Sequence, residues 1–291
     1  MTLPRFEYFA PERLEEALLI LSEKGRGACV MAGGTDLVMK MKRGLLKPAT
    51  IIGLNRIKEL NKIDFNAKKG LTIGATALIA EVASHPDIKR RYPAIAYAAG
   101  VMANVQIRNM GTVAGNLCNA APSADNASTL MAMGAEVTLT SMEGDRHIPV
   151  ERFFRGPGMT VIEPGEIMTS IFVPIPPSRS GASYKRISAR GKVDIAAVCV
   201  GVMVTMENET CKEVRIVLGA VAPVPLRAIK TEKILKGKRI TQELIKKAGE
   251  QASRESRPIS DVRASAEYRK KMVSALTRRA LEEANARAHK R

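Results

Sequence analysis

Two glycine-bearing turns hold the residues of this chain best suited to chemistry. The first, Ala32-Gly33-Gly34-Thr35-Asp36-Leu37, follows the short apolar run Ala28–Ala32. Consecutive glycines reach backbone conformations that other residues avoid, and they place no side chain between a ligand and the chain. Several N–H groups can then converge on an anion such as a pyrophosphate. Asp36 would repel that anion if it pointed inward, so it is better suited to capping local N–H groups or meeting a ligand hydroxyl. The second turn lies within Gln106-Ile107-Arg108-Asn109-Met110-Gly111-Thr112-Val113-Ala114-Gly115-Asn116-Leu117. Here Thr112 offers a hydroxyl, Asn116 an amide, and Gly111 and Gly115 exposed backbone. Asn119, Ser123 and Asp125 add polar groups around Pro122. Each turn alone also reads as a tight bend with caps. Donors arriving from two sides suit the pyrophosphate of a dinucleotide.

Other nucleotide and nucleophile signatures are absent. Gly191-Lys192 runs into Val193 and lacks the upstream glycine of a P-loop. No G-x-G-x-x-G follows a strand, and no G-x-S-x-G elbow occurs. Cys29, Cys118, Cys199 and Cys211 are scattered without a C-x-x-C pair, and His85, His147 and His289 are isolated. That spacing supports neither a disulfide framework nor a zinc or iron–sulfur cage, so no metal site is expected.

The elements that must position these turns follow from periodicity. Pro11–Lys24 reads as an amphipathic helix, with Leu14, Ala17, Leu18 and Leu21 on one face and Gly25 at its exit. Ala28–Ala32 and Ile51–Leu54 read as buried strands, which predicts a small α/β subdomain over about residues 1–55. Asp36–Lys42 suits either a helix or an irregular turn. Leu71–Ala75, Glu136–Ser141, Arg146–Val150 and Glu166–Val173 are further strand candidates, with helices over Leu78–Ser84 and Tyr92–Val101. Pro174-Ile175-Pro176-Pro177 interrupts any regular element, and Ser178–Ser183 is mostly small and polar, so the main domain boundary is placed there. Beyond it, Ala196–Met206 and Glu213–Ala222 are strand-like, and helices run from about Thr241 with a break near Ser256-Arg257-Pro258. The expectation is an α+β protein: a two-subdomain domain over 1–177 (about 1–55 and 56–177), then a domain of antiparallel sheet and helices over 178–291.

Composition narrows the class. The chain has 291 residues, 45% of them hydrophobic, enough for two compact domains. It has no run of about 18 apolar residues that would span a membrane, and its opening lacks the apolar core of a signal peptide, so a cytoplasmic location is expected. The formal charge is +17, and residues 226–291 hold 19 Lys and Arg against 8 Asp and Glu, an excess of 11. Tyr268 is the only aromatic residue in that stretch, whereas single-strand binding needs several stacking platforms among its basic residues. A solvated basic surface, or a docking face for an acidic partner subunit, explains the charge better than nucleic acid.

Together, Ala32–Leu37 and Gly111–Asn116 resemble the FAD-binding medium subunits of molybdenum hydroxylases, the group that includes xanthine dehydrogenase, carbon monoxide dehydrogenase and 4-hydroxybenzoyl-CoA reductase. The likeness extends through Pro11 and Leu14-Glu15-Glu16-Ala17, through Tyr184-Lys185-Arg186 and Asp194-Ile195-Ala196, and through Ser260–Ser265, Tyr268-Arg269 and Arg279-Ala280-Leu281. It therefore covers essentially the whole chain. The resemblance implies that Ala32, Gly33, Gly34, Thr35 and Asp36, with Thr112, Gly115 and Asn116, hold the FAD pyrophosphate and ribityl chain. It implies that Asp125 contacts the cofactor, and that Ile167 or Met168 packs near the isoalloxazine. It also makes Lys185 a flavin-facing cation, a residue that otherwise reads as a surface lysine. The implied function is electron transfer, from molybdopterin on a large subunit through [2Fe–2S] clusters on a small subunit to FAD here, and on to an external acceptor. No catalytic acid–base pair is expected in this chain. The chain departs from carbon monoxide dehydrogenases at Thr35-Asp36, where they carry His-Ser, and it lacks the cysteine-rich insertion of 4-hydroxybenzoyl-CoA reductase. The alternative is a stand-alone FAD reductase with the fold of UDP-N-acetylenolpyruvoylglucosamine reductase, which would need NADPH and substrate residues in its C-terminal domain.

Overall fold

The structure, a computed structural model, describes residues 2–191 and 193–290. Lys192, weighed above as part of a P-loop, lies outside them. The chain opens with β1 (Glu7–Phe9), α1 (Leu14–Lys24), β2 (Ala28–Met31), α2 (Leu37–Lys42) and β3 (Thr50–Gly53). The three strands form a parallel sheet in the order β1-β3-β2. Helix α1 buries Ala17, Leu18 and Leu21 and exits through Gly25 at φ 55°, a left-handed turn that glycine adopts without strain. It starts at Leu14 instead of Pro11. The Glu16 carboxylate accepts the Glu12 N–H, and Glu59 accepts the Leu14 N–H, so side chains satisfy the entry and no earlier turn forms. Strand β1 carried no sequence signal, being only three residues long and half exposed.

The second unit begins with β4 (Ile63–Asn66) and β5 (Gly70–Gly74), followed by six short helices: α3 (Ile79–Ser84), α4 (Pro86–Arg91), α5 (Pro93–Val101), α6 (Val105–Arg108), α7 (Val113–Cys118) and α8 (Asp125–Ala132). It continues with β6 (Glu136–Ser141), β7 (Gly144–Pro149), α9 (Val150–Phe153), β8 (Phe154–Gly156), β9 (Met159–Thr160) and β10 (Ile167–Pro174). Its main sheet is antiparallel, in the order β4-β5-β10-β6-β7. Leu71, Ile73, Val137, Leu139, Ile171 and Val173 face the helices and form the largest apolar core with Ile79, Val82, Ile95 and Leu117.

The last unit is a four-stranded antiparallel sheet, β11 (Ser180–Ile187), β12 (Val198–Glu207), β13 (Thr210–Gly219) and β14 (Leu226–Arg227), with α10 (Ile229–Leu235), α11 (Gln242–Glu255) and α12 (Ala266–His289). Strand β11 takes in part of the stretch read from sequence as a small, polar connection. Its small residues serve packing: a Cβ on Gly181 would stand 2.1 Å from the Ala284 carbonyl oxygen, so α12 lies directly on the strand backbone. On the opposite face a Cβ on Gly201 would stand 2.5 Å from the Ser128 carbonyl oxygen of α8. The C-terminal sheet is thus covered by α11 and α12 on one side and by α8 of the preceding unit on the other. Covering on both faces explains why β12 is a continuous apolar run without alternation. Every residue of α8 is buried between the two units.

Candidate cofactor site

The two glycine turns meet. The first leaves the end of β2 and enters α2, with Gly34 at φ 69°. The second lies between α6 and α7. A Cβ on Gly33 would fall 2.0 Å from the Met110 carbonyl oxygen and 2.8 Å from Gly111 Cα, so only glycine lets the two backbones lie against each other. The second turn is pinned from below, where the Ile79 N–H donates to the Gly111 carbonyl at 2.9 Å and Leu78 bridges Thr112. Thr112 is the N-cap of α7, its hydroxyl accepting the Gly115 N–H at 2.9 Å.

Between the turns lies a cleft of about 200 Å³, walled by Ala32 to Leu37 on one side and by Gly111, Thr112, Gly115 and Asn116 on the other. Eight of the sequence-predicted residues therefore converge on one space. Asp36 stands at the N-cap position of α2 without a capping side-chain bond, so the capping role expected of it is not taken up. Around the end of β2 the space continues into a second, more apolar cleft of about 410 Å³. Val30, Ala32, Gly115 and Cys118 line both. Ile167 and Met168 line only the second, as does Ala28. The loop before them is held by Glu166, whose carboxylate accepts from Arg146 Nε at 2.6 Å and from the Glu163 N–H at 2.7 Å. Burial alone would raise its pKa, but the arginine and the N–H outweigh it and hold the carboxyl below its ordinary range. The Cys118 Sγ sits 4.0 Å from the Met168 Sδ, and burial pushes its thiol up to about 12, which disfavours the thiolate.

Asp125 and Lys185 are placed elsewhere. Asp125 begins α8 and is 6% exposed; its carboxylate accepts from the Tyr184 hydroxyl at 2.5 Å and lies 3.3 Å from Arg186 Nε. Burial raises its pKa even against the arginine charge and the tyrosine hydrogen bond. Strand alternation sends Tyr184 and Arg186 toward α8 and sends Lys185 the other way, where its Nζ pairs with Glu283 of α12 at 2.5 Å. Lys185 is thus not brought to the glycine turns. The cation facing Asp125 is its neighbour Arg186, which also donates to the Val101 carbonyl at 2.7 Å and to the Asp194 carbonyl.

Sequence reasoning missed three further groups. Lys40 of α2 lines the first cleft and donates to Asn119 Oδ1 at 2.7 Å. Asn126, 1% exposed, donates to Asn116 Oδ1 at 3.3 Å and so orients that amide within the cleft wall, while its own Oδ1 is buried without a partner. Met102, just past α5, completes the wall. Lys40 carried a usable signal, since a helix starting at Leu37 returns residue 40 to the glycine turn after one turn. The other two depend on tertiary approach alone.

Comparison with known proteins agrees along the whole chain. Residues 4–176 match the family model described as the FAD binding domain in molybdopterin dehydrogenase, and residues 182–284 match the CO dehydrogenase flavoprotein C-terminal domain. The carbon monoxide dehydrogenase medium chain of Hydrogenophaga pseudoflava is 34% identical over 289 residues, covering 99% of both chains. The glyceraldehyde dehydrogenase medium chain of Sulfolobus acidocaldarius is 32% identical over 280 residues, covering 96% of this chain and 98% of that one. Among solved structures, carbon monoxide dehydrogenase from H. pseudoflava superposes with a TM-score of 0.94 at 34% identity, over 99% of each chain. Quinoline 2-oxidoreductase from Pseudomonas putida 86 superposes with a TM-score of 0.92 at 28% identity, over 99% of each chain. The meeting of two glycine turns, the sheet-and-helix unit behind them and these full-length matches lead to one conclusion: the chain belongs to the FAD-binding flavoprotein family of the molybdenum hydroxylases, a family of oxidoreductases.

Proposed function

We propose that this chain is the FAD-binding electron-transfer subunit of a molybdopterin-dependent hydroxylase or dehydrogenase. Its partners would be a molybdopterin-binding large subunit and a [2Fe–2S] small subunit, from which electrons reach the flavin and leave for an external acceptor. The observation that carries this reading is the contact of Gly33 with the Met110–Gly111 backbone, which sets two glycine turns around one cleft. The residues present fit the cofactor. Ala32 to Asp36 and Thr112 to Asn116 supply a diphosphate cradle, and the apolar second cleft, with Ile167 and Met168 in its wall, suits one of the cofactor's two flat ring systems. Bound FAD supplies a redox centre able to exchange electrons singly or in pairs. The chain's own groups bind and orient it: Asn126 sets the Asn116 amide, and Asp125, held by Tyr184 and Arg186, ties the FAD-binding units to the C-terminal sheet.

No helix among the described residues is long and apolar enough to cross a membrane, and the four cysteines are free, as suits a reducing cytoplasm. The basic C-terminal unit suits a solvated surface or a docking face for an acidic partner subunit better than a nucleic-acid site. The purified chain is expected to show a flavin absorbance spectrum, or to regain one when FAD is added. Affinity purification from the native source is expected to bring down a molybdopterin protein and an iron–sulfur protein. A chain that never takes up FAD, or that purifies alone and oxidises NADPH with UDP-N-acetylenolpyruvoylglucosamine, would overturn the proposal.

A further inference from the structure

We propose that Lys40 is the counter-cation of the cofactor's diphosphate, tethered in the wall of the cleft by Asn119 until the anion takes its place. The inference rests on the FAD reading above and names a binding residue outside both glycine turns. Three observations carry it. First, apart from Lys40 the cleft is lined by glycines, neutral side chains and the carboxylate Asp36, which bring no full positive charge. Lys40 is the one cation among the described residues lining that cleft. A doubly charged diphosphate beside Asp36 needs such a charge.

Second, its position follows from the helix. The Lys40 N–H donates to the Asp36 carbonyl at 2.9 Å, which puts Lys40 one turn beyond the glycine turn and on the cleft side of α2. Its ammonium then spans to Asn119 at the C-cap of α7, so one hydrogen bond of 2.7 Å links the two turn-bearing elements at the cleft that both residues line. Third, that partner is neutral. Among the described residues no carboxylate lies within ion-pair distance of Lys40. A half-buried ammonium held by one amide oxygen exchanges a neutral acceptor for anionic oxygens when a diphosphate enters. The long, flexible lysine stem allows that exchange without movement of α2.

The test is binding to the full-length apo chain of FAD, of ADP (which carries the diphosphate without the flavin) and of adenosine (which carries neither). Each is titrated at low and high salt against the wild type, Lys40→Gln, Lys40→Arg and Asn119→Ala. Lys40→Gln is expected to weaken FAD and ADP by the same factor, roughly 10- to 100-fold. It should leave adenosine unchanged and flatten the salt dependence. Lys40→Arg and Asn119→Ala, which keep the charge, are expected to retain salt-dependent binding. The proposal is overturned if Lys40→Gln binds FAD and ADP as the wild type does, or if it weakens adenosine equally, which would mean general damage to the site. A wild-type chain that binds no FAD at all removes the family reading and this inference together, an outcome distinct from either of the others.

Discussion

Gly33 makes the sharpest demand on a single residue in the molecule. Its Cα faces the Met110 carbonyl so closely that any side chain would push the two turns apart. Replacing it with alanine is expected to lower FAD affinity roughly 10- to 100-fold, since forced backbone shifts of this kind cost about 1–3 kcal/mol. The loss should exceed any change in thermal stability; fluorescence titration with FAD and a melting curve separate the two, and unchanged affinity would show that the turns need not touch. The dipeptide Gly33-Gly34 was legible in the sequence, and so was the cradle chemistry it allows. The partner it packs against was not, because Met110 lies 77 positions away and nothing local marks that approach. Lys185 illustrates the opposite case. A basic pair, Lys185-Arg186, was visible, but which of the two faces Asp125 depends on the parity of β11, and a shift of one residue reverses every side chain on a strand.

Among the elements, α12 shows how a loop is fixed ahead of a helix. Asp261 accepts the Arg263 N–H at 2.8 Å and an Arg269 guanidinium N–H at 2.6 Å, and Arg269 also donates to the Ala220 carbonyl at 3.0 Å. The helix is thereby tied to the end of β13. The Arg263 N–H and the Arg269 charge outweigh partial burial and lower the Asp261 pKa from 3.8 to about 2. A carboxyl depressed on folding stabilises the folded state above its unfolded pKa, and that contribution is lost as pH falls through the folded value. Asp261→Asn is therefore expected to destabilise the chain by about 1–2 kcal/mol at neutral pH, after allowance for solvent screening. The difference from wild type should shrink as pH drops below about 4 toward 2. Urea denaturation at pH 7, 5 and 3.5 measures this, and a difference that does not vary with pH would assign the effect to packing.

Across the whole molecule, the site depends on how the C-terminal unit seats against the FAD-binding units. Arg186 is central to that seating: it pairs with Asp125 of α8 and donates to the Val101 carbonyl at the end of α5 and to the Asp194 carbonyl of its own domain. Both charged side chains are 8% exposed. Breaking a buried pair leaves one charge uncompensated, so Arg186→Gln is expected to cost about 3 kcal/mol. It should also speed amide exchange around Val101 and around Asp194 to Ala197 while the parallel sheet of the first subdomain stays protected. Hydrogen-exchange mass spectrometry reads both regions, and uniform loss of protection would show that Arg186 supports global folding and not the junction. Strand β10 ends at Pro174 and Ser180 already enters β11, so the connection between them is shorter than the sequence suggested.

By itself the sequence determined the two glycine turns, the chemistry they permit, most strands and helices around them, and a family resemblance spanning the chain. These are properties of residue type and local period, which neighbouring positions encode directly. Only the tertiary structure decided that the turns touch, that Lys40 bonds Asn119 beside them, that Asn126 orients Asn116, and that Arg186 and not Lys185 meets Asp125. Each of those is an approach between distant segments, set by a glycine too small to hold them apart or by the phase of a strand. Such approaches come into being only when the core beneath them packs.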